Sequence, residues 1–228
     1  LFQDIDCIFY LVHAMESSLD YEKLEIKQAQ NVASLLSKKQ KIIYLSGLGE
    51  GKLSKHLRSR QKVGKILAKS SARVIELRAS IIIGKGSLSF EMIKAIVNRF
   101  PFILQSDWAT SPCQPLALED LLSYLEQSIH LKLRRNKIFE IGGPEIIRYI
   151  DLLILYAKLK KLKRPVLKID RFPKHYIPSI MKLFLSEYYE VGHKLLGSIE
   201  ISTTTDGKAD QFFKPAKLTM KSAMKKSL

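Results

Sequence analysis

The sequence predicts an α/β fold, a parallel sheet with helices packed on both of its faces. Short runs rich in Ile, Val and Leu recur along the chain, and segments with apolar residues at helical spacing lie between them. The apolar runs are nearly continuous rather than alternating with polar residues, as strands covered on both faces require. A length of 228 residues suits one large domain, or one domain with a small appendage.

The elements follow in order. Residues 5–12 read as a buried strand, closed by His13. Residues 19–39 read as a helix, with Tyr21, Leu24, Val32 and Leu35 at roughly helical spacing. Residues 41–46 form the next strand and end in the loop Gly47-Leu48-Gly49-Glu50-Gly51. A helix is expected over 54–69, then a strand over 73–78 that runs on into 79–84. A helix over 89–100 takes Ser89 as its N-cap. A short strand around Leu116, a helix from Glu119, a strand over 138–141 and a helix from Pro144 complete the alternation. After Arg164 the pattern is less regular and richer in Pro, aromatics and Lys. Residues 165–217 are expected to form a smaller substrate-side lobe and 218–228 a closing helix, which divides the chain into 1–164 and 165–228.

Composition narrows the function classes. There are 38 Lys and Arg against 22 Asp and Glu, a net charge of +16. Such a balance suits anionic partners: nucleic acid, an anionic membrane or a phosphorylated cofactor. The densest basic run, Lys158-Leu159-Lys160-Lys161-Leu162-Lys163-Arg164, and the lysines of 214–226 lack the interleaved aromatics of a single-strand binder. Both read as solvated helix faces, so a nucleic-acid partner is not expected. No apolar run approaches the roughly 18 residues of a transmembrane helix. Cys7 and Cys113 stand far apart in apolar or Pro-rich surroundings and read as buried thiols in a reducing compartment. With no signal-like opening, a cytoplasmic location is expected. The five histidines lack ligand spacing, and no metal site is expected.

Several segments carry a family resemblance. These are Tyr10-Leu11-Val12-His13-Ala14-Met15, Ile42-Ile43-Tyr44-Leu45-Ser46-Gly47-Leu48-Gly49, the stretch 54–64, the stretch 77–92 and Phe139-Glu140-Ile141-Gly142-Gly143-Pro144. Together they resemble the atypical, extended short-chain dehydrogenase/reductases, in the NmrA-like and NAD-dependent epimerase/dehydratase branch. The resemblance is close over 5–149 and continues more weakly to the end. It implies a Rossmann-type doubly wound parallel sheet with a small C-terminal lobe, and NAD or NADP as cofactor. The implied function is an oxidoreductase or a sugar-nucleotide epimerase/dehydratase-like protein acting on an unidentified small molecule. No glycine-rich strand-to-helix turn precedes the first strand. The resemblance therefore implies that the first βα units, about 60–80 residues, are missing. A chain without that turn is expected to bind NAD(P) poorly.

The same resemblance implies site residues. Relatives move a proton with the Tyr of a Tyr-x-x-x-Lys pair, and the aligned pair here is His56 and Arg60. Their spacing puts both on one helix face. His56 can act as acid or base. Arg60 keeps its proton, but its fork can hold a ribose or phosphate. The other reading of the pair is an ordinary polar helix face. The protein is then a non-catalytic NAD(P)-binding scaffold or sensor that docks to a protein partner. Ser46 falls where relatives carry an active-site Ser, and it reads equally as a turn residue. Val12 and His13 fall at the sheet's carboxyl edge, where a cofactor binds, although a lone His there also suits a structural role. Ser80 and Ile81 would pass along the nicotinamide. Trp108 and Gln114-Pro115 fall in the loop that builds the substrate side in relatives.

Overall fold

The computed structural model describes residues 2, 4–15, 20–106, 110–170 and 173–228. Strand β1 (Cys7–Tyr10), helix α1 (Tyr21–Leu35), β2 (Lys41–Gly47), α2 (Lys55–Leu67) and β3 (Arg73–Ala79) come first. Then follow β4 (Ile82–Ile83), α3 (Leu88–Arg99), β5 (Ile103–Gln105), β6 (Pro112–Cys113), β7 (Leu116–Ala117) and α4 (Leu118–His130). The rest comprises β8 (Lys137–Ile141), β9 (Ile147–Arg148), α5 (Tyr149–Leu159), β10 (Val166–Lys168), α6 (Ile177–Phe184), α7 (Ser186–Leu195) and α8 (Met220–Ser227).

Strands β1, β2, β3 and β8 form a parallel sheet in that spatial order. Successive side chains on a strand point to opposite faces. Ile42, Tyr44 and Val74 therefore meet Ala29 of α1 with Val63 and Leu67 of α2. Ile43, Ile75, Leu77 and Phe139 meet Leu121, Tyr124 and Leu125 of α4 on the other side. Both faces are dry, which is why the strands read as continuous apolar runs. Each such side chain, once buried, contributes roughly 1.5–3 kcal/mol. The architecture is the predicted α/β fold with a parallel sheet.

The local departures have physical causes. The first strand stops at Tyr10, and Leu11 and Val12 are exposed beyond it. The apolar run 73–84 breaks in two: β3 ends at Ala79, while β4 pairs in parallel with β7 in a separate small sheet. Ser87, not Ser89, caps α3, because its hydroxyl accepts from the Phe90 N–H while donating to the Ile82 carbonyl. Helix α5 begins at Tyr149 rather than at Pro144. The Gly143 N–H donates to the Pro115 carbonyl at 3.0 Å, and a Cβ there would stand 2.1 Å from that oxygen. The chain is thus held extended past Gly143. The helix starts only where Asp151 accepts from the Arg148 N–H at 3.1 Å. Leu19, at the expected start of the first helix, lies outside the described residues.

The later residues return to the core at two places. Ala209 and Phe213 pack among Tyr124 and Phe139. Met220, Ala223 and Met224 of α8 join Phe90 and Ile150. Strand β10 pairs in parallel with β5, and β6 pairs antiparallel with β9. Among the described residues, no helix is long and apolar enough to cross a membrane.

Candidate functional site

Ligands of open α/β sheets bind outside the carboxyl ends of the strands. In this chain the carboxyl ends of β1 and β2 meet the first turns of α2. His13 lies three residues past β1, and Ser46 lies near the end of β2. Helix α2 is fixed there by Ser54, whose hydroxyl accepts from the Leu57 N–H at 3.2 Å. His56 and Arg60 project one turn apart from this start. Helix α1 supplies a buried stripe at four-residue steps, Tyr21, Glu25 and Ala29. A carboxylate therefore sits inside the layer between α1 and α2. Helix α7 borders the same corner: Lys194 donates to the Met15 carbonyl at 2.5 Å, and Val191 packs with Met15 and Tyr21.

Glu25 organises the cluster. Its Oε1 stands 2.5 Å from His13 Nδ1 and accepts from the Ala14 N–H at 3.4 Å, while Oε2 accepts from the Ser59 hydroxyl. Burial works against a charge on Glu25, which is 3% exposed. The hydrogen bonds from His13, Ser59 and Ala14 outweigh it and hold the carboxyl at about 2. The His13 ring lies 5.3 Å from that of His56, tilted by 40°. Burial, with the neighbouring His13 and Arg60, pushes His56 down to about 4. His56 is therefore neutral near pH 7. Its Nδ1 is buried without a hydrogen-bond partner among the described residues, while the buried Ser46 hydroxyl lies beside the Tyr44 phenol.

Arg60 faces backbone carbonyls at this edge. One guanidinium nitrogen donates to the Val12 carbonyl at 3.2 Å and another to the Leu45 carbonyl. The group lies over the Tyr44 ring at 5.1 Å, and the Tyr44 hydroxyl donates back to the Arg60 carbonyl at 2.8 Å. Arg60 thus ties the end of β1 to the end of β2. Val12 takes part through its carbonyl while its side chain is exposed.

Ser80 and Ile81 lie at another corner, beyond β3. The Ser80 hydroxyl is hydrogen-bonded to that of Thr203 at 2.7 Å, and the Ile81 carbonyl accepts from the Leu116 N–H at 2.9 Å. Gln114 donates to the Gly143 carbonyl at 2.7 Å and accepts from the Thr205 N–H and hydroxyl at 3.0 and 3.1 Å. Trp108 lies outside the described residues. The structure therefore gathers His13, His56 and Arg60, and it adds Glu25 and Ser59, which the sequence reading did not single out. The signal for Glu25 was its place in the Tyr21–Glu25–Ala29 stripe.

No protein-family model and no curated protein matches the chain. Solved structures do. The Bordetella bronchiseptica enzyme WbmG, in complex with NAD and UDP, aligns with a TM-score of 0.71 at 14% identity, over 97% of this chain and 71% of that one. UDP-glucuronic acid 4-epimerase from Bacillus cereus, in complex with UDP-glucuronic acid and NAD, gives 0.70 at 14% identity, over 99% and 75%. RMD from Pseudomonas aeruginosa, complexed with NADPH, gives 0.70 at 11% identity, over 100% and 82%. The fold is the Rossmann-type fold of these NAD(P)-binding enzymes. Its carboxyl edge is the one that carries the His13–Glu25–His56 cluster.

Proposed function

We propose that this chain forms the nicotinamide and substrate side of an NAD(P)-dependent oxidoreductase or sugar-nucleotide epimerase/dehydratase-type protein. The observation that carries the reading is the pair of imidazoles 5.3 Å apart at the carboxyl ends of parallel strands. The fold is one whose solved examples hold NAD or NADPH. The residues present fit such a group. The His13 side chain is 36% exposed at that edge, where a nicotinamide or a substrate hydroxyl can meet it.

When bound, the nicotinamide supplies hydride acceptance or donation. The chain's own residues handle the rest. An imidazole at this edge takes up or returns the proton of the reacting hydroxyl, the part the family resemblance gives to His56, while Ser46 orients that hydroxyl. Val12 and His13 border the cofactor, and Ser80 and Ile81 bound the far side. Arg60 acts through the Val12 and Leu45 backbone that it fixes.

The test is imidazole nitrogen NMR with added NAD or NADP. Both His13 and His56 are expected to shift. A shift without turnover of any nucleotide sugar would favour a non-catalytic NAD(P)-binding scaffold that docks to a protein partner. No shift with either dinucleotide overturns both readings.

A further inference from the structure

Resting on that reading, we propose that His13 rather than His56 is the proton-transfer residue, and that Glu25 and Ser59 position it as a buried carboxylate–imidazole pair. The geometry of Glu25 comes first. An ionised carboxylate only accepts hydrogen bonds. The His13 nitrogen that faces it at 2.5 Å, Nδ1, therefore carries a proton. In neutral His13 this leaves the lone pair on Nε2. The carboxylate is itself fixed, since Oε1 also takes the Ala14 N–H and Oε2 takes the Ser59 hydroxyl. A buried acid that locks one tautomer and orients the ring is the working logic of acid–histidine pairs on unrelated folds.

Access separates the two histidines. The His13 side chain is 36% exposed while Glu25 is 3% exposed, so the pair runs from the interior to the surface. His56 is half-buried, and its Nδ1 is wholly buried. Charge separates them further. A proton arriving on His13 Nε2 makes an imidazolium beside a carboxylate. A proton arriving on His56 meets the Arg60 guanidinium and the His13 ring, with no carboxylate in hydrogen-bond contact among the described residues. Positive charge developing during proton transfer is stabilised on one ring and opposed on the other.

The step balances as follows. The substrate hydroxyl gives its proton to His13 Nε2, its carbon gives a hydride to the nicotinamide of oxidised NAD(P), and the carbon–oxygen bond becomes double. The imidazolium then returns its proton to water or, in the reverse direction, to the reduced oxygen. His56 stays neutral and offers a hydrogen-bonding nitrogen beside the reacting group.

The test uses the full chain without cofactor or substrate. Imidazole nitrogen NMR is expected to show neutral His13 as the Nδ1–H tautomer. Diethyl pyrocarbonate, which attacks neutral imidazole nitrogen, should label His13 several-fold faster than His56 when mapped by mass spectrometry. In Glu25→Gln, His13 should shift toward the Nε2–H tautomer and its labelling, compared at an alkaline pH where the imidazoles are neutral, should slow several-fold. Ser59→Ala keeps the charge and removes one support, so it should move both readouts the same way by less. That variant and the wild-type tautomer decide the matter if Glu25→Gln does not fold. Wild-type His13 in the Nε2–H form, faster labelling of His56, or unchanged readouts in both variants overturns the proposal. A dinucleotide response with the wrong tautomer removes only the pair. A correct tautomer with no dinucleotide response removes the nucleotide reading while the pair stands.

Discussion

Two corners of the same sheet edge are finished in opposite ways. Beyond β3, the hydroxyls of Ser80, Thr203 and Tyr149 meet one another, at 2.7 Å from Ser80 to Thr203 and 3.3 Å from Tyr149 to Thr203. Gln114 satisfies Gly143 and Thr205. Burial pushes the Tyr149 phenol up to about 12, so it serves as a neutral hydrogen-bonding group. Beyond β1 and β2, by contrast, the buried Nδ1 of His56 lacks a partner among the described residues and a carboxylate-held imidazole reaches the surface. The first corner is closed by residues 203–205 of the chain itself. The second keeps its polar groups half-satisfied, the condition under which a side chain can still exchange a proton or accept a ligand.

Removing the tie between β1 and β2 gives the largest expected effect. Arg60 holds two backbone carbonyls with a charged donor, and it is only 8% exposed. Arg60→Ala should cost about 3–5 kcal/mol in urea unfolding, from two charge-assisted hydrogen bonds and the acceptors left behind. Arg60→Lys should recover less than half of that, since a single ammonium cannot reproduce the fork. A loss below about 1 kcal/mol would show that the open corner does not depend on this tie.

The open corner should also make stability depend on pH. His56 is held at about 4 in the folded protein against an ordinary value of 6.5. The unfolded chain therefore takes up this proton first. Stability is full above about pH 6.5 and falls as pH drops towards 4, by on the order of 3 kcal/mol. Glu25 adds a second step. Its folded value of about 2 lies below the ordinary 4.5, so its contribution is present above pH 4.5 and is lost as pH falls through 2. Unfolding midpoints measured across this range should show both steps. His56→Phe should abolish the first and leave the second. A flat profile between pH 6.5 and 4 in the wild type would falsify the neutral, buried state of His56.

The unequal legibility of these features has a physical basis. Strands β2 and β3 were readable because both their faces are dry, and continuous Ile, Leu and Val has few other uses. The break after Ala79 was not, because Ala79-Ser80-Ile81-Ile82-Ile83 stays strand-like while its pairing partner lies at Leu116. Ser87 and Ser89 were equivalent as caps in sequence, and the distant Ile82 carbonyl helped to settle the choice. His13, His56 and Arg60 emerged through resemblance to a family. Glu25 did not, because an acid on a helix ordinarily faces solvent, and its burial is explained by partners distant in sequence, His13, Ala14 and Ser59. The role of Arg60 depends on where the Val12 and Leu45 carbonyls point, which residue type alone does not encode.

The closed corner offers a smaller effect and a control. Gln114→Leu strands the Gly143 carbonyl and the Thr205 N–H and should cost about 2 kcal/mol. Thr203→Val removes only hydroxyl contacts to Ser80 and Tyr149 and should cost about 1 kcal/mol. Cys113 reports on this corner. Its residue pairs with Thr203, its thiol donates to the Ile147 carbonyl at 3.2 Å, and burial pushes the thiol up to about 12. Cys7 is only partly buried, on β1 at the other side of the sheet. A thiol reagent at mildly alkaline pH should therefore label Cys7 first, and Cys113 only when the corner opens. A loss of about 1 kcal/mol in Thr203→Val should raise Cys113 labelling about fivefold. The Cys7 rate and the tautomer of His13 should stay unchanged. Wild-type Cys113 labelled as fast as Cys7 would mean that the corner beyond β3 is as open as the one beyond β1, and the contrast between them would be lost.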